Sequence, residues 1–412
     1  MAPAIDVVDV TPTTTFALQK ELVDGYEIST KPDSPIKLKK QMSAYLARQN
    51  EDKAGSMDMK TYYYHAYAAS VASQEGKCFA ITGCSTGTGY TLARTLVEKR
   101  AQVIVLNRPS GRHDLAMSKL TDLSQKHGAP APVAIPCDLT HFDSVRKAGA
   151  DLLAACTTTG LDGLINNAGV MGFADEATVD GCDVQMQTNH LSHFLLTSIC
   201  MPALEMAAAQ RGEARIVNHS SCARAINATG ASKGWDNHLK PEYLSNKRGG
   251  NLGGSHAGMM TGANYERYQQ TKLANVVFTY ALRDRLAAKG SRVKALVAHP
   301  GVAPTSLMLN TMVGSGDTSM LALPQCLSKL FLKWLMHSQE DGTMGLLMCA
   351  CEPSVASGDF YGPYGKGLSG VHDTHAYKGK AVLMPEEPLA DEAARKMLWE
   401  ESETSTGVTF AI

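Results

Sequence analysis

One stretch near residue 80 constrains the fold more than any other part of the chain. The apolar run KCFAIT, residues 77–82, leads directly into the glycine-rich segment TGCSTGTG, residues 82–89, and an amphipathic helix pattern follows. Glycines at such a junction let the backbone turn sharply and approach a phosphate group, which the amides at the start of the helix can bind. The stretch therefore predicts a strand, a phosphate-binding turn and a helix. The candidate phosphate-binding residues are Gly83, Ser85, Gly87 and Gly89.

Further along the chain, apolar runs typical of strands alternate with patterns typical of helices. Strand-like runs occur at 102–107, 215–219 and 292–298, and a helix pattern at 266–289 precedes the last of them. This alternation predicts an α/β fold, a Rossmann-type doubly wound parallel sheet with helices on both faces. Residues 1–75 lack a clear periodicity. We interpret them as an N-terminal extension, of a role that the sequence does not indicate, preceding a domain that spans 76–412.

Composition excludes several classes of protein. The 412 residues include 39 basic and 40 acidic side chains, and a formal net charge of −1 argues against a nucleic-acid partner. The ten cysteines have no metal-ligand spacing, and the histidines lie on separate elements, so we expect free thiols and no metal site.

Targeting signals are also not expected. No apolar run reaches the length of a membrane span, and the N-terminus lacks both a secretory pattern and the acid-poor composition of a transit peptide. Free thiols favour a reducing intracellular compartment, either the cytoplasm or a plastid.

Four short motifs follow the glycine-rich turn in a fixed order. They are NNAG at 166–169, HSS at 219–221, YERYQQTK at 265–272 and HPG at 299–301. With TGCSTGTG, this order resembles the short-chain dehydrogenase/reductase family. The segments NHLSHFLLT, YQQTKLAN and HPGVAPTSL are most similar to its retinol dehydrogenase and protochlorophyllide oxidoreductase branch. The resemblance implies hydride transfer between a nicotinamide cofactor and a carbonyl or alcohol, carried out by a catalytic domain at 76–412.

The motif YERYQQTK contains two tyrosines that share a helix face with Lys272. Tyr268 lies four residues before the lysine and Tyr265 seven, so spacing alone does not choose between them. The resemblance assigns Tyr268 as the catalytic acid. A free tyrosine has a pKa of roughly 10, and a nearby positive charge is needed for proton exchange near neutrality. We expect Lys272 to supply that charge and to hold the ribose of the cofactor.

Two other catalytic residues follow from the resemblance. The second serine of HSS, Ser221, is expected to hold the carbonyl oxygen of the substrate, with Ser220 as the alternative. Asn189 matches a helix asparagine that anchors a water leading to the lysine. The other interpretation of Asn189 is a buried amide that bonds its own helix.

The end of the strand at 102–107 bears on the choice of cofactor. Asn107 stands where NAD-dependent enzymes usually carry an acidic residue, and Arg108 follows it. An arginine suits the 2′-phosphate of NADP, so we favour NADP(H) over NAD(H); the alternative is an exposed arginine without a ligand. The resemblance assigns further cofactor contacts to Asp138, Asn167, Ala168, Gly169, Tyr268, Lys272, Pro300, Gly301 and Thr305. Asp138 suits either the adenine amino group or a helix N-cap.

The chain departs from simple family members between Ser221 and Tyr268. The intervening segment is long and rich in glycine, and we describe it as an insertion at 223–264. Protochlorophyllide oxidoreductases carry a comparable insertion, but Ala274 and the motif HPG differ from that enzyme, which indicates a relative rather than a member. We expect residues 230–263 to form a flap over the substrate opening that the sheet does not need. A solvent loop or a docking surface is the alternative.

Residues 303–345 follow HPG and are expected to form a substrate lid. Phe331, Trp334 and several methionines in this segment suit a large apolar substrate. Two other interpretations stay open: a helix in the core or at the interface of a homo-oligomer, and a surface that contacts a membrane through Lys329 and Lys333.

The sequence thus predicts an NADP-dependent oxidoreductase acting on a small apolar carbonyl or alcohol. Two alternatives remain. One is a light-driven pigment reductase similar to protochlorophyllide oxidoreductase. The other is a catalytically silent, cofactor-bound scaffold within a larger assembly, which the intact Ser221, Tyr268 and Lys272 argue against.

Overall fold

A mostly parallel sheet runs through the protein and confirms the predicted α/β class. The computed structural model describes residues 59–225, 238–253, 262–303, 336–366, 372–373 and 378–412. In these residues the sheet has nine strands in the order β3-β2-β1-β4-β5-β6-β7-β8, and β9 pairs with β7. The strands are β1 Cys78–Thr82, β2 Gln102–Asn107, β3 Val133–Pro136, β4 Gly163–Asn166, β5 Ala214–His219, β6 Val293–Ala298, β7 Phe360–Lys366, β8 His372–Asp373 and β9 Lys380–Leu383.

The strand order reverses beside β1, which places a crevice at the carboxyl ends of β1 and β4. Strands β1 to β7 pair in parallel, with Ile81 opposite both Val105 of β2 and Ile165 of β4, whereas β8 and β9 run antiparallel to β7. In open α/β sheets, ligands bind at such a reversal point. The candidate residues of the glycine-rich turn and of NNAG both lie at this edge.

Helices cover both faces of the sheet. They are α1 Tyr64–Ser70, α2 Gly87–Glu98, α3 Gly111–His127, α4 Phe142–Ala155, α5 Ser192–Arg211, α6 Pro241–Leu244, α7 Ala263–Ala288, α8 Gln339–Cys351 and α9 Glu392–Thr406. A short α-turn, Val184–Met186, and a π-helical turn, Gln187–Leu191, lead into α5.

Two hydrophobic cores lie on opposite sides of the sheet because successive strand residues point to opposite faces. In β1, Cys78 and Ala80 belong to the core formed with α4, α5, α7 and α9. Phe79 and Ile81 belong to the core formed with α1, α2 and α8. β1, β4 and β5 are buried at every position, which explains the nearly continuous apolar run of β1, Cys78–Thr82.

The described end of the predicted N-terminal extension is anchored to the sheet domain. The backbone amides of Tyr62, Tyr63 and Tyr64 donate to the carboxylate of Asp341 at 2.9, 2.9 and 3.0 Å. The Tyr64 hydroxyl lies 2.6 Å from Thr95 Oγ1 of α2. Residues 59–71 therefore tie α8 to α2. Residues 1–58 lie outside the described residues, so the division of the chain at residue 75 stays a prediction.

Part of the glycine-rich insertion belongs to the core. Leu239, Tyr243 and Leu244 are buried, and the Ser405 hydroxyl of α9 donates to the Leu244 carbonyl at 2.7 Å. The expectation that the sheet domain does not need residues 230–263 is therefore wrong for 238–244, because these residues pack against α7 and α9. Residues 226–237 and 254–261 of the insertion lie outside the described residues.

The predicted lid falls largely on residues that the structure does not describe. Residues 304–335, which include Thr305, Lys329, Phe331, Lys333 and Trp334, lie outside it. At the end of the predicted range, residues 339–345 begin α8, whose Gly342, Thr343 and Met344 are buried. That end therefore packs with the core.

One helical segment among the described residues is long and apolar enough to cross a membrane by length and composition. It is Val184–Arg211, and 72% of its most apolar window is buried inside the protein. The burial follows from its position between β5 and α4.

Candidate active site

The turn after β1 is built around two glycines that no other residue replaces without strain. Gly83 has a φ of 74°, in the left-handed region that side chains disfavour. At Gly89, a Cβ atom would collide with the carbonyl oxygen of Gly83 and with Nδ2 of Asn167. The glycines therefore bring the turn, the start of α2 and NNAG into close contact.

The start of α2 suits a phosphate group. Its first turn carries no acidic side chain, so the positive end of the helix dipole is not neutralised there. Asn107, at the end of β2, holds the turn in place: its Oδ1 accepts from the Cys84 amide at 2.8 Å, and its Nδ2 donates to Ser85 Oγ at 3.1 Å. Asn107 thus has a structural task that the sequence alone did not reveal.

A buried threonine and histidine position the NNAG backbone. Thr82 Oγ1 accepts from the amides of Asn167 and Ala168, both at 3.0 Å, and lies 3.0 Å from His193 Nε2. His193 Nδ1 faces the Asn189 carbonyl at 3.1 Å, so this nitrogen must carry the proton. Burial lowers the pKa of His193 to about 4, which keeps the ring neutral. His193 Nε2 therefore accepts a hydrogen bond from the Thr82 hydroxyl, and both ring nitrogens of His193 have a partner.

Asn189 lies in the π-helical turn and joins NNAG to α7. Its Oδ1 accepts from the Val170 amide at 2.7 Å, and its Nδ2 donates to the Val170 carbonyl at 2.8 Å and to Thr271 Oγ1 at 2.9 Å. Single π turns inside α-helices are frequent at functional sites. The Asn189 side chain bonds other elements, so it is not a buried amide that bonds only its own helix.

Tyr268, Ser221 and Lys272 come together where β5 and α7 meet. All three residues are buried, and the Ser221 side chain lies close enough to Tyr268 to lower the pKa of the phenol. Lys272 Nζ lies 5.7 Å from the Tyr268 ring centroid. Ser220 instead donates to the Lys272 carbonyl at 2.7 Å. Of the two serines, Ser221 therefore faces the tyrosine.

The electrostatics of this group are set by burial. Burial raises the pKa of Tyr268, and the neighbouring Ser221 side chain lowers it. Burial also lowers the pKa of Lys272 to about 8. The Lys272 ammonium donates to the His219 carbonyl at 3.0 Å. Gly169 lies against both Lys272 and Asn189: a Cβ atom there would be 3.3 Å from Lys272 Nζ and 3.2 Å from Asn189 Oδ1.

His219 joins the same network through its ring. Nδ1 lies 2.9 Å from Asn167 Oδ1, whose amide orientation is set because Asn167 Nδ2 donates to the carbonyls of Thr82 and Gly83. Nδ1 must therefore carry the proton. Burial lowers the pKa of His219 to about 3, so the ring is neutral.

The predicted adenosine contacts are more open. Arg108 is exposed at the end of β2. Asp138 accepts at one carboxylate oxygen from the amide and hydroxyl of Thr140, at 2.9 and 2.8 Å. This local turn precedes α4, whose N-cap is His141, so Asp138 does not cap the helix, and its contact with adenine stays a prediction.

The HPG segment closes the site on the β6 side. Gly301 has a φ of 67°, and its amide donates to His299 Nδ1 at 3.2 Å. The Pro300 carbonyl accepts from His337 Nε2 at 2.6 Å. Among the described residues, no group of three or more His, Cys, Asp or Glu side chains could hold a metal ion.

Comparison with known proteins decides the family. The family model for short chain dehydrogenases matches residues 77–235. An uncharacterized oxidoreductase of Schizosaccharomyces pombe is 30% identical over 70% of this chain and 76% of its own length. The chain belongs to the short-chain dehydrogenase family. It is therefore an oxidoreductase, and its fold is one that binds nicotinamide cofactors.

Other relatives identify the branch of this short-chain dehydrogenase. Retinol dehydrogenase 13 of Homo sapiens is 29% identical over 85% of this chain and 90% of its own. Polyprenol dehydrogenase of Mus musculus is 28% identical over 81% and 85%. A crystal structure of an uncharacterized protein from Mycobacterium paratuberculosis covers 86% of this chain and all of its own, with 27% identity and a TM-score of 0.57. The chain is retinol dehydrogenase-like, as the motif order predicted.

The residues of this dehydrogenase fit a dinucleotide on structural grounds. The turn at Gly83 and Gly89 leaves no room for side chains, the first turn of α2 has no acidic residue, and Gly169 lies beside Lys272. Thr82, His193 and His219, which support this arrangement, were not identified as site residues from the sequence. The polar Thr82 at the end of an apolar strand was the one available signal.

Proposed function

We propose that this oxidoreductase uses NADP(H) and interconverts a carbonyl and an alcohol on an apolar substrate. Asn189, Ser221, Tyr268 and Lys272 form its catalytic group. The observation that carries the proposal is that Ser221, Tyr268 and Lys272 are buried together where β5 and α7 meet, with Lys272 Nζ 5.7 Å from the Tyr268 ring centroid.

The hydroxyls of Ser221 and Tyr268 are both donors to one substrate oxygen. Two such donors, held in place before reaction, stabilise the negative charge that develops on a carbonyl oxygen during reduction. Bound nicotinamide supplies or accepts the hydride. Tyr268 gives its proton to the oxygen in reduction and takes it back in oxidation.

Lys272 makes that proton transfer accessible. A positive charge near a phenol favours the tyrosinate and so lowers the pKa of the tyrosine. With its own pKa lowered to about 8 by burial, Lys272 is still mostly protonated at neutral pH. Asn189 and the His219 carbonyl hold the surroundings of this charge in place.

An apolar cluster next to the tyrosine supports an apolar substrate. Ala223, Tyr265 and Tyr268 pack together as a small core, and Met171 packs against it. Phe173 follows in the same loop and is 41% exposed. Apolar surface beside the reacting hydroxyl favours a hydrophobic carbonyl compound over a sugar or acid.

The choice of NADP(H) rests on the end of β2. Asn107 offers no carboxylate to a ribose 2′-hydroxyl because its side chain is already bonded to the turn. The exposed Arg108 next to it suits a 2′-phosphate.

A substrate panel tests the proposal. Purified protein is assayed with NADPH and with NADH on all-trans-retinal, a long-chain aldehyde, a steroid ketone and a polyprenal, with propanal as the small polar control. We expect turnover of at least one apolar carbonyl with NADPH, at a kcat/KM well above that for propanal. Faster turnover of propanal, or a preference for NADH, would contradict the proposal.

A further inference from the structure

A buried arginine follows the proposed catalytic serine by one turn. Arg224 lies in the 3₁₀ turn Cys222–Ala225 and is 4% exposed. Its Nη1 donates to the Ser221 carbonyl at 3.3 Å, and its Nε donates to Glu387 Oε2 at 2.8 Å. The guanidinium carbon lies 4.4 Å from the Phe360 ring centroid. Arg224 lies outside the sequence motifs that indicated the family.

The ion pair joins three separate parts of the fold. Glu387 lies between β9 and α9, and its amide donates to the Tyr280 hydroxyl of α7 at 3.2 Å. Gln269, the neighbour of Tyr268, donates from Nε2 to the Arg224 carbonyl at 2.8 Å. The serine turn, the tyrosine helix and the C-terminal segment therefore meet at Arg224.

Stability alone is a poor explanation for such a pair. Taking two charges out of water costs about as much free energy as their attraction returns, so an apolar pair of similar volume is often no less stable. What a buried, geometrically specific pair does provide is one fixed arrangement of the groups bonded to it. Here those groups are the backbone of the serine turn and the helix of Tyr268.

We propose that the ion pair between Arg224 and Glu387 positions the Ser221 hydroxyl against Tyr268. Arg224 and Glu387 are then positioning residues of the reaction, and this rests on the roles proposed above for Ser221 and Tyr268. Loss of the pair lets the serine turn shift, which moves the Ser221 hydroxyl away from the tyrosine. Because the Ser221 side chain lowers the pKa of Tyr268, its displacement raises that pKa.

The variant Arg224→Met leaves Glu387 buried without a partner, so it can fail for lack of folding alone. The double variant Arg224→Met/Glu387→Leu removes both charges and restores an apolar core. We expect the double variant to melt near the wild-type temperature but to lose about ten- to a hundredfold in kcat, as expected for a misplaced catalytic group. Arg224→Lys retains the charge and is expected to recover part of the rate.

The decisive measurement is the pH dependence of oxidation of all-trans-retinol and decan-1-ol with NADP⁺. Oxidation needs ionised Tyr268, so the rate rises with pH, and the double variant should move this rise to higher pH. Ultraviolet titration of the NADP⁺ complex, with Tyr268→Phe subtracted, reports the same ionisation without turnover. NADP⁺ affinity should stay within about twofold, since neither Arg224 nor Glu387 bonds a residue proposed to bind the cofactor.

Two reference variants separate the outcomes. Arg211 and Asp162 form an ion pair at the opposite end of the sheet, with Arg211 Nε 2.6 Å from Asp162 Oδ1. Arg211→Met breaks this pair and should lower the melting temperature while leaving the pH profile unchanged. Ser221→Ala should shift the profile as far as the double variant or further. If the double variant folds and keeps the wild-type pH profile while Ser221→Ala shifts that profile, the positioning role of the ion pair is overturned. An unshifted Ser221→Ala overturns the proposed role of Ser221, and the positioning role with it.

Discussion

The two ends of the proposed cofactor site are built differently. At the reaction end, Asn167, Asn189, His219 and Lys272 are all buried, and each is bonded to at least one other element. At the adenosine end, Arg108 is exposed and Asp138 bonds within its own turn. The reaction end is therefore arranged before any ligand binds, whereas the adenosine end must order its side chains on binding.

This difference has an energetic consequence. Ordering a long exposed side chain costs up to about 2 kcal/mol of conformational entropy, which is subtracted from the affinity it provides. Side chains that folding has already ordered do not incur that cost again. Substitutions at the reaction end should therefore change rates strongly, and substitutions at the adenosine end should change affinity and cofactor choice moderately.

The largest expected effect tests the reaction end directly. Tyr268→Phe removes the proton donor and should lower kcat by about a hundredfold to ten-thousandfold, the range of general acid catalysis. NADPH affinity, measured by fluorescence titration, should remain near the wild-type value. Tyr265→Phe is the matched control, since its ring lies 5.8 Å from that of Tyr268, and it should keep most of the activity. A reversed result would show that Tyr265 is the acid.

The next effect concerns the turn that both ends share. In Gly89→Ala, the new methyl group collides with the Gly83 carbonyl and the Asn167 amide. Overpacking of this kind costs about 1–3 kcal/mol, so we expect a lower melting temperature and at least tenfold weaker NADPH binding. Gly111→Ala is the control, because a Cβ there meets nothing within 4 Å. Equal behaviour of the two variants would show that the close approach at Gly89 is unimportant.

A smaller effect tests the adenosine end. Arg108→Asp should weaken NADPH binding by roughly ten- to a hundredfold, because one charge-assisted contact is worth about 1.5–3 kcal/mol, and should favour NADH. Its kcat with saturating cofactor should change little if the two ends are independent. Lys119→Asp, on the exposed side of α3, makes the same charge change away from the site. Unaltered NADPH affinity in Arg108→Asp would mean that another residue recognises the phosphate.

The smallest effect uses the buried histidines of the reaction side. Burial lowers the pKa of His190 to about 3, of His193 to about 4 and of His219 to about 3. In the unfolded chain these histidines take up protons below about pH 6.5, whereas in the folded protein they stay neutral. Their burial therefore lowers the stability of the fold as pH drops from about 6.5 towards 4 and has no effect above that range.

Thermal melting between pH 4 and 8 measures this dependence. His190→Gln should flatten the acid slope by up to about 1.4 kcal/mol per pH unit. The exposed His65→Gln should not. An unchanged slope in His190→Gln would show that this ring is not held neutral.

Sequence patterns predicted the α/β sheet and the residues that the site brings together. Ser221, Tyr268 and Lys272 do meet, and Asn189 does join NNAG to α7. The flap was predicted too broadly, because glycine content alone does not show that Leu239, Tyr243 and Leu244 are buried beneath α9. The sequence could not choose between a cap and a ligand for Asp138, because a carboxylate before a helix suits either; the structure gives His141 as the cap and bonds Asp138 to Thr140.

What the sequence determined by itself is local: strand and helix periodicity, the glycines of the turn, and the spacing of Tyr268 and Lys272. These follow from neighbouring residues and from backbone geometry. Tertiary structure alone decided which nitrogen of His193 and His219 carries the proton, which serine faces the tyrosine, and that Arg224 meets Glu387, 163 residues away in the chain. Those outcomes depend on which groups burial brings into contact, because a buried polar group must find its partner in whatever element packs against it.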